Sequence, residues 1–175
     1  MNYTATYESP LGPLTLRSDG GALTALRFPV WKYAGEEPAA ERRDDLPVFR
    51  RTASWLDGYF AGRDPGPLPE LNPRGSEFRR RVWAELQKIP YGKRTTYGAV
   101  AAELERRTGA RMSAQAVGGA VGHNPIGILI PCHRVVGADG SLTGFAAGLD
   151  AKIFLLRLEG ADFAGLYRPA RGTAL

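Results

Sequence analysis

Cys132 is the only cysteine of the chain, and it stands in the stretch PCHRV beside one of only two histidines, His133. A thiol acts as a nucleophile when its surroundings hold it as thiolate near neutral pH. A histidine can serve as its base, and a carboxylate that orients the histidine completes such a set. Glu159, in LLRLEG near the end of the last expected helix, is the candidate carboxylate. Each residue also has a plainer reading. A lone cysteine is more often a small buried hydrophobe. Neighbours in extended chain point to opposite sides, so adjacency alone does not pair Cys132 with His133. A glutamate at a helix end is usually solvated. The residues by themselves leave both readings open. One cysteine forms no internal disulfide, and one cysteine with two histidines makes a poor metal set. Neither a metal nor a cofactor is expected.

The elements that would hold these residues change character along the chain. NYTATYES and PLTLRSD read as strands around the turn SPLGP, and ALTALRF as a third strand after DGG. Residues 31–46 read as a loop. Val48, Trp55, Leu56 and Phe60 then recur at helical spacing, and AGRDPGP stops the helix. The Pro- and Gly-rich stretch 64–75 reads as a linker. Beyond it the pattern is helical. Ser76 caps EFRRRVWAELQKI, a threonine caps TTYGAVAAELERR, and Ser113 caps AQAVGGAVGHN after the turn TGARM. Two helices with a short turn resemble a helix-turn-helix unit. IGILI, before Pro131, reads as a short buried strand. The tail YRPARGTAL reads as exposed.

The helix AQAVGGAVG is nearly free of bulk and charge. Each interior glycine costs about 1 kcal/mol relative to alanine. Close helix packing would compensate, and so would close approach to a nucleic-acid backbone. A major-groove helix normally offers Arg, Asn or Gln to base edges. Small residues suit a narrow minor groove better. The charge agrees with the second option. Residues 1–75 carry 9 Lys/Arg against 10 Asp/Glu, whereas residues 76–175 carry 14 against 8. The basic half is where a polyanion would bind, although a solvated basic face has the same composition. No apolar run approaches the ~18–20 residues of a membrane span. The start lacks a basic region followed by an apolar core. A cytoplasmic location is expected.

The run AVGGAVGHNPIGILIPCHRVVGADGSLTGFAAGLDAKIFLLRLEG, with IPYGKRTTYGAVA upstream, resembles the active-site region of the O6-alkylguanine-DNA alkyltransferases, the methylated-DNA–protein-cysteine methyltransferases. The resemblance covers about residues 76 to 160. It implies an α+β fold: an N-terminal β-sheet-plus-helix, ribonuclease H-like domain, then a mainly helical, winged-helix-like domain with a helix-turn-helix. The implied boundaries are 1–70 for the companion domain, 76–162 for the DNA-binding and alkyl-acceptor domain, and 163–175 for a C-terminal extension. The implied activity is irreversible, stoichiometric transfer of an alkyl group from O6-alkylguanine in DNA to Cys132 after base flipping, with O4-alkylthymine left open as a substrate.

The resemblance also implies roles. Cys132 accepts the alkyl group, His133 deprotonates it through a water, Glu159 orients His133, and Asn124 is the hinge between the recognition helix and the active-site segment. Tyr97 presses on a phosphate, helps rotate the nucleotide and lines the pocket. Backbone groups near Cys132, Val135 and Ala146 read the guanine edge, and Val121, Ile126 and Phe145 supply apolar walls. Gln115, Ala116, Gly119 and Gly122 face the DNA. The partner is double-stranded DNA containing alkylated guanine, the protein is a monomer, and no membrane is involved. Two positions depart from the usual pattern. Gln115 stands where an arginine finger is usual, and Phe145 where a tyrosine is usual. Three other readings compete. An alkyltransferase-like lesion binder would lack the cysteine. A helix-turn-helix regulator would want a base-reading helix. A cysteine hydrolase would leave the glycine-rich helix unexplained.

Overall fold

The computed structural model describes residues 1–33, 35 and 37–170. Strands β1 (Tyr3–Ser9) and β2 (Gly12–Ser18) form an antiparallel hairpin in which Thr6 faces Thr15. Strand β3 (Leu23–Arg27) pairs antiparallel with β2, and the register shifts between Arg17 and Ser18. The stretch expected as loop over 31–46 contributes a short strand, β4 (Glu41–Arg42), parallel to the other edge of β1. The sheet order is β3-β2-β1-β4.

Helix α1 (Pro47–Phe60) covers this sheet. Proline occupies its first turn, where no intrahelical N–H is needed. It buries Val48, Phe49, Thr52, Trp55, Leu56 and Tyr59, one stripe at helical spacing. The Pro- and Gly-rich stretch after it is pinned rather than free. Leu23 N–H donates to the Glu70 carbonyl and Asn72 N–H donates to the Leu23 carbonyl, both at 2.8 Å. These bonds satisfy the edge of β3, which would otherwise be open to pairing.

The second half is helical, as its caps predict. Ser76 Oγ accepts from Arg79 N–H at the start of α2 (Glu77–Leu86). Thr96 Oγ1 accepts from Ala99 N–H at the start of α3 (Tyr97–Thr108), and Gly109 ends that helix at φ 70°. Ser113 Oγ accepts from Ala116 N–H at the start of α4 (Ala114–Gly122). Each cap satisfies a backbone donor that the first turn leaves unpaired. Strands β5 (Thr95–Thr96) and β6 (Val135–Val136) pair in parallel and tie the start of α3 to the segment after Cys132. The final helix is α5 (Leu149–Leu158). One apolar core runs from Leu14 and Leu16 in the sheet through Trp55, Trp83 and Val117 to Leu155 in α5.

IGILI is not a strand. Only Ile126 bridges to Leu26, and successive turns follow: Leu129 N–H donates to the Gly127 carbonyl, Ile130 N–H to Ile126 and Cys132 N–H to Ile130. A run buried on every side carries no periodicity to separate strand from turn. Gly127 is needed at the bend, since a Cβ there would lie 3.0 Å from the Trp31 ring and 3.3 Å from the Leu26 carbonyl oxygen. Ile128 sits at φ 67°, a costly conformation for a β-branched residue.

The described part of the tail YRPARGTAL is largely exposed, as expected, although Tyr167 and the stretch before it are anchored to the fold. Leu142 N–H donates to the Tyr167 carbonyl and Tyr167 N–H to the Gly140 carbonyl, while Phe163 and Leu166 pack on Val136, Leu142 and Leu156. Residues 171–175 of the expected extension lie outside the described residues.

Candidate active site

Cys132, His133 and Arg134 form a single 3-10 turn directly after Pro131. This bend brings neighbouring side chains into one buried region, which extended chain would not do. Cys132 is 3 % exposed and His133 is fully buried. Asn124, just beyond α4, reaches the turn from the other side. Its Nδ2 donates to the Ile130 carbonyl at 2.8 Å and to Cys132 Sγ at 3.2 Å, while its Oδ1 accepts from Ile126 N–H at 3.0 Å. A single amide thus holds the α4 exit, the bend and the thiol together.

Glu159 ends α5 and turns its carboxylate inward. Oε1 accepts from His133 Nε2 at 2.6 Å, from the Tyr59 hydroxyl at 2.7 Å and from Arg134 Nη2 at 3.0 Å. Oε2 accepts from Arg134 Nε at 2.8 Å and from Gly92 N–H at 3.2 Å. Gly92 is required there. Its φ is +72°, and a Cβ would sit 2.8 Å from the Glu159 carbonyl oxygen. Arg134 is also held by the Ile89 carbonyl, at 2.7 Å from Nη1.

These contacts set the charges. Burial pushes the Glu159 carboxyl up, but hydrogen bonds and charge from His133 and Arg134 outweigh it and hold it at about 2. The carboxylate is therefore only an acceptor, so His133 Nε2 carries the proton between them. His133 Nδ1 is buried and has no hydrogen-bond partner among the described residues. Burial lowers the pKa of His133 against the pull of Glu159, which favours the neutral ring and a free Nδ1 lone pair. Burial raises the Cys132 thiol, opposed by the Asn124 hydrogen bond and the positive charge of Lys152. The thiol therefore needs a base, and a neutral imidazole with an unused lone pair belongs to the adjacent residue.

The other expected residues are placed as follows. Tyr97 is buried at the start of α3, and its hydroxyl donates to the Thr143 carbonyl at 3.2 Å. Val135 N–H donates to the Cys132 carbonyl. Val121 and Ile126 are buried in the core. The Phe145 ring meets His133 edge-on at 6.3 Å, and the Ala146 carbonyl accepts from Lys32 N–H at 3.0 Å. On α4, Gln115 and Ala116 are exposed and Gly119 is half-buried, while Val117, Gly118, Ala120 and Val121 face inward. A Cβ on Gly119 would meet nothing within 4 Å, whereas one on Gly122 would lie 3.4 Å from the Tyr33 ring. Gln115, Ala116 and Gly119 thus share an open face, and Gly122 lies beside Tyr33.

Comparison with known proteins settles the family. The family model for the 6-O-methylguanine DNA methyltransferase DNA-binding domain matches residues 77–161, and that for its ribonuclease-like domain matches residues 2–66. The chain belongs to the 6-O-methylguanine DNA methyltransferase family. The methylated-DNA–protein-cysteine methyltransferase of Methanosarcina acetivorans is 43 % identical over 91 % of this chain and 99 % of its own length. That of Haemophilus influenzae is 43 % identical over 90 % of this chain and 86 % of its own. The Mycobacterium tuberculosis OGT in complex with DNA superposes with a TM-score of 0.79 at 42 % identity, covering 90 % of this chain and 92 % of that one.

Around the methyltransferase site stand further residues that the sequence motifs do not single out. Tyr59 and Arg134 both bind Glu159. Lys152 is fully buried in α5, and its Nζ donates to the Val135 and Thr143 carbonyls at 2.6 Å each. Burial lowers its pKa to about 8. Phe28 and Trp31, from the N-terminal half, pack edge-on against Phe145. Lys152 and Glu159 did leave a signal. They lie seven positions apart, on the same helical face as the buried Leu155 and Leu156.

Proposed function

We propose that this chain repairs DNA directly, by moving the alkyl group of an O6-alkylguanine in double-stranded DNA onto Cys132. The observation that carries the reading is the buried thiol held by Asn124, next in the chain to a buried His133 whose Nε2 is bound to Glu159. His133 Nδ1 takes the thiol proton through a water. The sulfur then attacks the alkyl carbon, so that an S–C bond forms and the C–O6 bond breaks. Glu159 stabilises the imidazolium and keeps its own charge throughout. The departing guanine needs a proton. Tyr97 is pushed up to about 12, chiefly by burial, so it keeps a proton to give. The imidazolium replaces that proton, so the thiol proton ends on guanine. The thioether is not reversed by ordinary thiol chemistry, so each molecule reacts once.

The target carbon is inaccessible inside a duplex, so the nucleotide must be flipped out, at a cost of a few kcal/mol. In this reading α4 lies in the minor groove, and Gln115 enters the stack where the base has left. Asn124 is the hinge behind it. Val121, Ile126 and Phe145 wall the pocket, while backbone groups of Cys132, Val135 and Ala146 read the guanine. The basic second half attracts phosphates without reading sequence, which suits a search for rare lesions. We place the protein in the cytoplasm as a monomer, where a reducing medium keeps its thiol free.

Intact-protein mass spectrometry after incubation with a duplex carrying one O6-methylguanine tests the activity. The expected result is the gain of one methyl per chain, on the peptide containing Cys132, and none with undamaged duplex. Selective binding without mass gain would instead make this chain a lesion-binding protein. The position of α4 is tested separately. Gln115→Arg is expected to tighten duplex binding and to steepen the slope of log K against log salt by about one. Fluorescence anisotropy across a salt series reads this directly, and an unchanged slope would remove residue 115 from the DNA surface.

A further inference from the structure

Tyr59 lies 100 residues from Glu159 in sequence, on the N-terminal helix α1, yet its hydroxyl donates to Glu159 Oε1 at 2.7 Å. The same hydroxyl stands 3.4 Å from His133 Nε2. Tyr59 is fully buried. Its ring stacks on Trp55 at 5.4 Å and meets Phe60 and Tyr91 edge-on at 5.4 and 6.0 Å. Packing therefore fixes the ring, and the ring aims the hydroxyl at the one carboxylate oxygen that also serves His133. We propose that Tyr59 is a positioning residue for alkyl transfer, holding Glu159 in place and limiting how strongly that carboxylate pulls on His133. The proposal rests on the repair reading above.

The physical argument concerns sharing. Oε1 serves Tyr59, His133 and Arg134 together. Each donor withdraws charge that would otherwise stabilise the imidazolium. Burial and the Glu159 charge keep the phenol protonated, so Tyr59 acts only as a donor toward the carboxylate. Removing it gives His133 a larger share of the negative charge. Imidazolium is then favoured, and the neutral base becomes scarcer at neutral pH. The remaining groups around the pair are Arg134 and Tyr91 on the Glu159 side, and Lys152 and Cys132 on the His133 side.

Tyr59→Phe keeps the ring contacts and removes only the hydroxyl. The chain has two histidines, so nitrogen-15 imidazole titration of the full-length protein resolves His133, with His123 as internal control. In Tyr59→Phe the His133 titration is expected to move up by about one pH unit, since a hydrogen bond to a charged group is at stake. The acid limb of the single-turnover transfer rate should move up by the same amount, because only neutral His133 accepts the thiol proton. His123 should not move. A His133 titration and a rate profile that both superimpose on wild type would reduce Tyr59 to packing and overturn the proposal. If the wild type itself takes up no methyl, the repair reading fails, and the imidazole titration still decides whether Tyr59 governs His133. Should Tyr59→Phe not fold, the wild type carries the test. A slowly exchanging hydroxyl proton with a cross-peak to the His133 Nε2 proton is expected, and its absence would equally sink the idea.

Discussion

Cys132→Ser is expected to abolish alkyl transfer, by at least about a thousand-fold, while leaving binding to lesion-containing duplex intact. The substitution removes one property and keeps the rest. Serine has nearly the shape of cysteine, and Asn124 Nδ2 can still donate to its side chain as it donates to Sγ at 3.2 Å. The bend that holds residue 132 is made by backbone bonds, Cys132 N–H to the Ile130 carbonyl and Arg134 N–H to the Pro131 carbonyl. Neither depends on the side chain. What fails is deprotonation. A serine hydroxyl lies far above a thiol in pKa, so almost none of it is held as alkoxide beside His133, and a neutral alcohol is a far poorer nucleophile toward an alkyl carbon than a thiolate. Transfer of a labelled methyl, followed beside a gel-shift titration of the same duplex, separates the two effects. Residual transfer near the wild-type rate would mean that another side chain accepts the alkyl group.

The machinery around that thiol was partly legible in the sequence, and the division has physical causes. Ser76, Thr96 and Ser113 announced their helices because a cap is a local event, a side chain accepting from a backbone N–H three residues on. Cys132, His133 and Asn124 were singled out through the family resemblance of the one short segment that carries them all; their types and spacing alone left the plainer readings open. IGILI was misread because every residue in it is buried, and an all-apolar run has no period to distinguish a strand from consecutive turns. Tyr59 lies at the far end of this scale. Nothing near YFAGR points to a carboxylate 100 residues away. Only the packing of α1 on the shared core brings the two together. Arg134 stood in plain view in PCHRV, but its value depends on Glu159 lying opposite, which is again tertiary information.

That dependence makes Glu159→Gln the other large change. Transfer is expected to fall about 100- to 10,000-fold at neutral pH, the range spanned by positioned acid–base groups. The amide can still accept from His133, but it no longer stabilises an imidazolium with a full charge. It also turns NH2 protons toward Arg134, whose Nε and Nη2 donate to the carboxylate in the wild type. Arg134 is left as a buried charge without its partner, which costs about 3–5 kcal/mol of stability. The pH dependence checks this figure independently. Glu159 is held at about 2 in the folded protein, against about 4.3 for a free glutamate. A carboxyl lowered by folding stabilises above its unfolded value, and that stability is lost as pH falls through the folded one. The window is therefore about pH 4.5 down to 2, and the contribution is about 3 kcal/mol. Urea unfolding of wild type and Glu159→Gln should differ by about that amount at pH 7, and the two curves should converge as pH approaches 2. A difference that stayed constant across the window would mean that the lost stability comes from shape rather than charge, and that Glu159 is not the fixed anion on which the histidine relies.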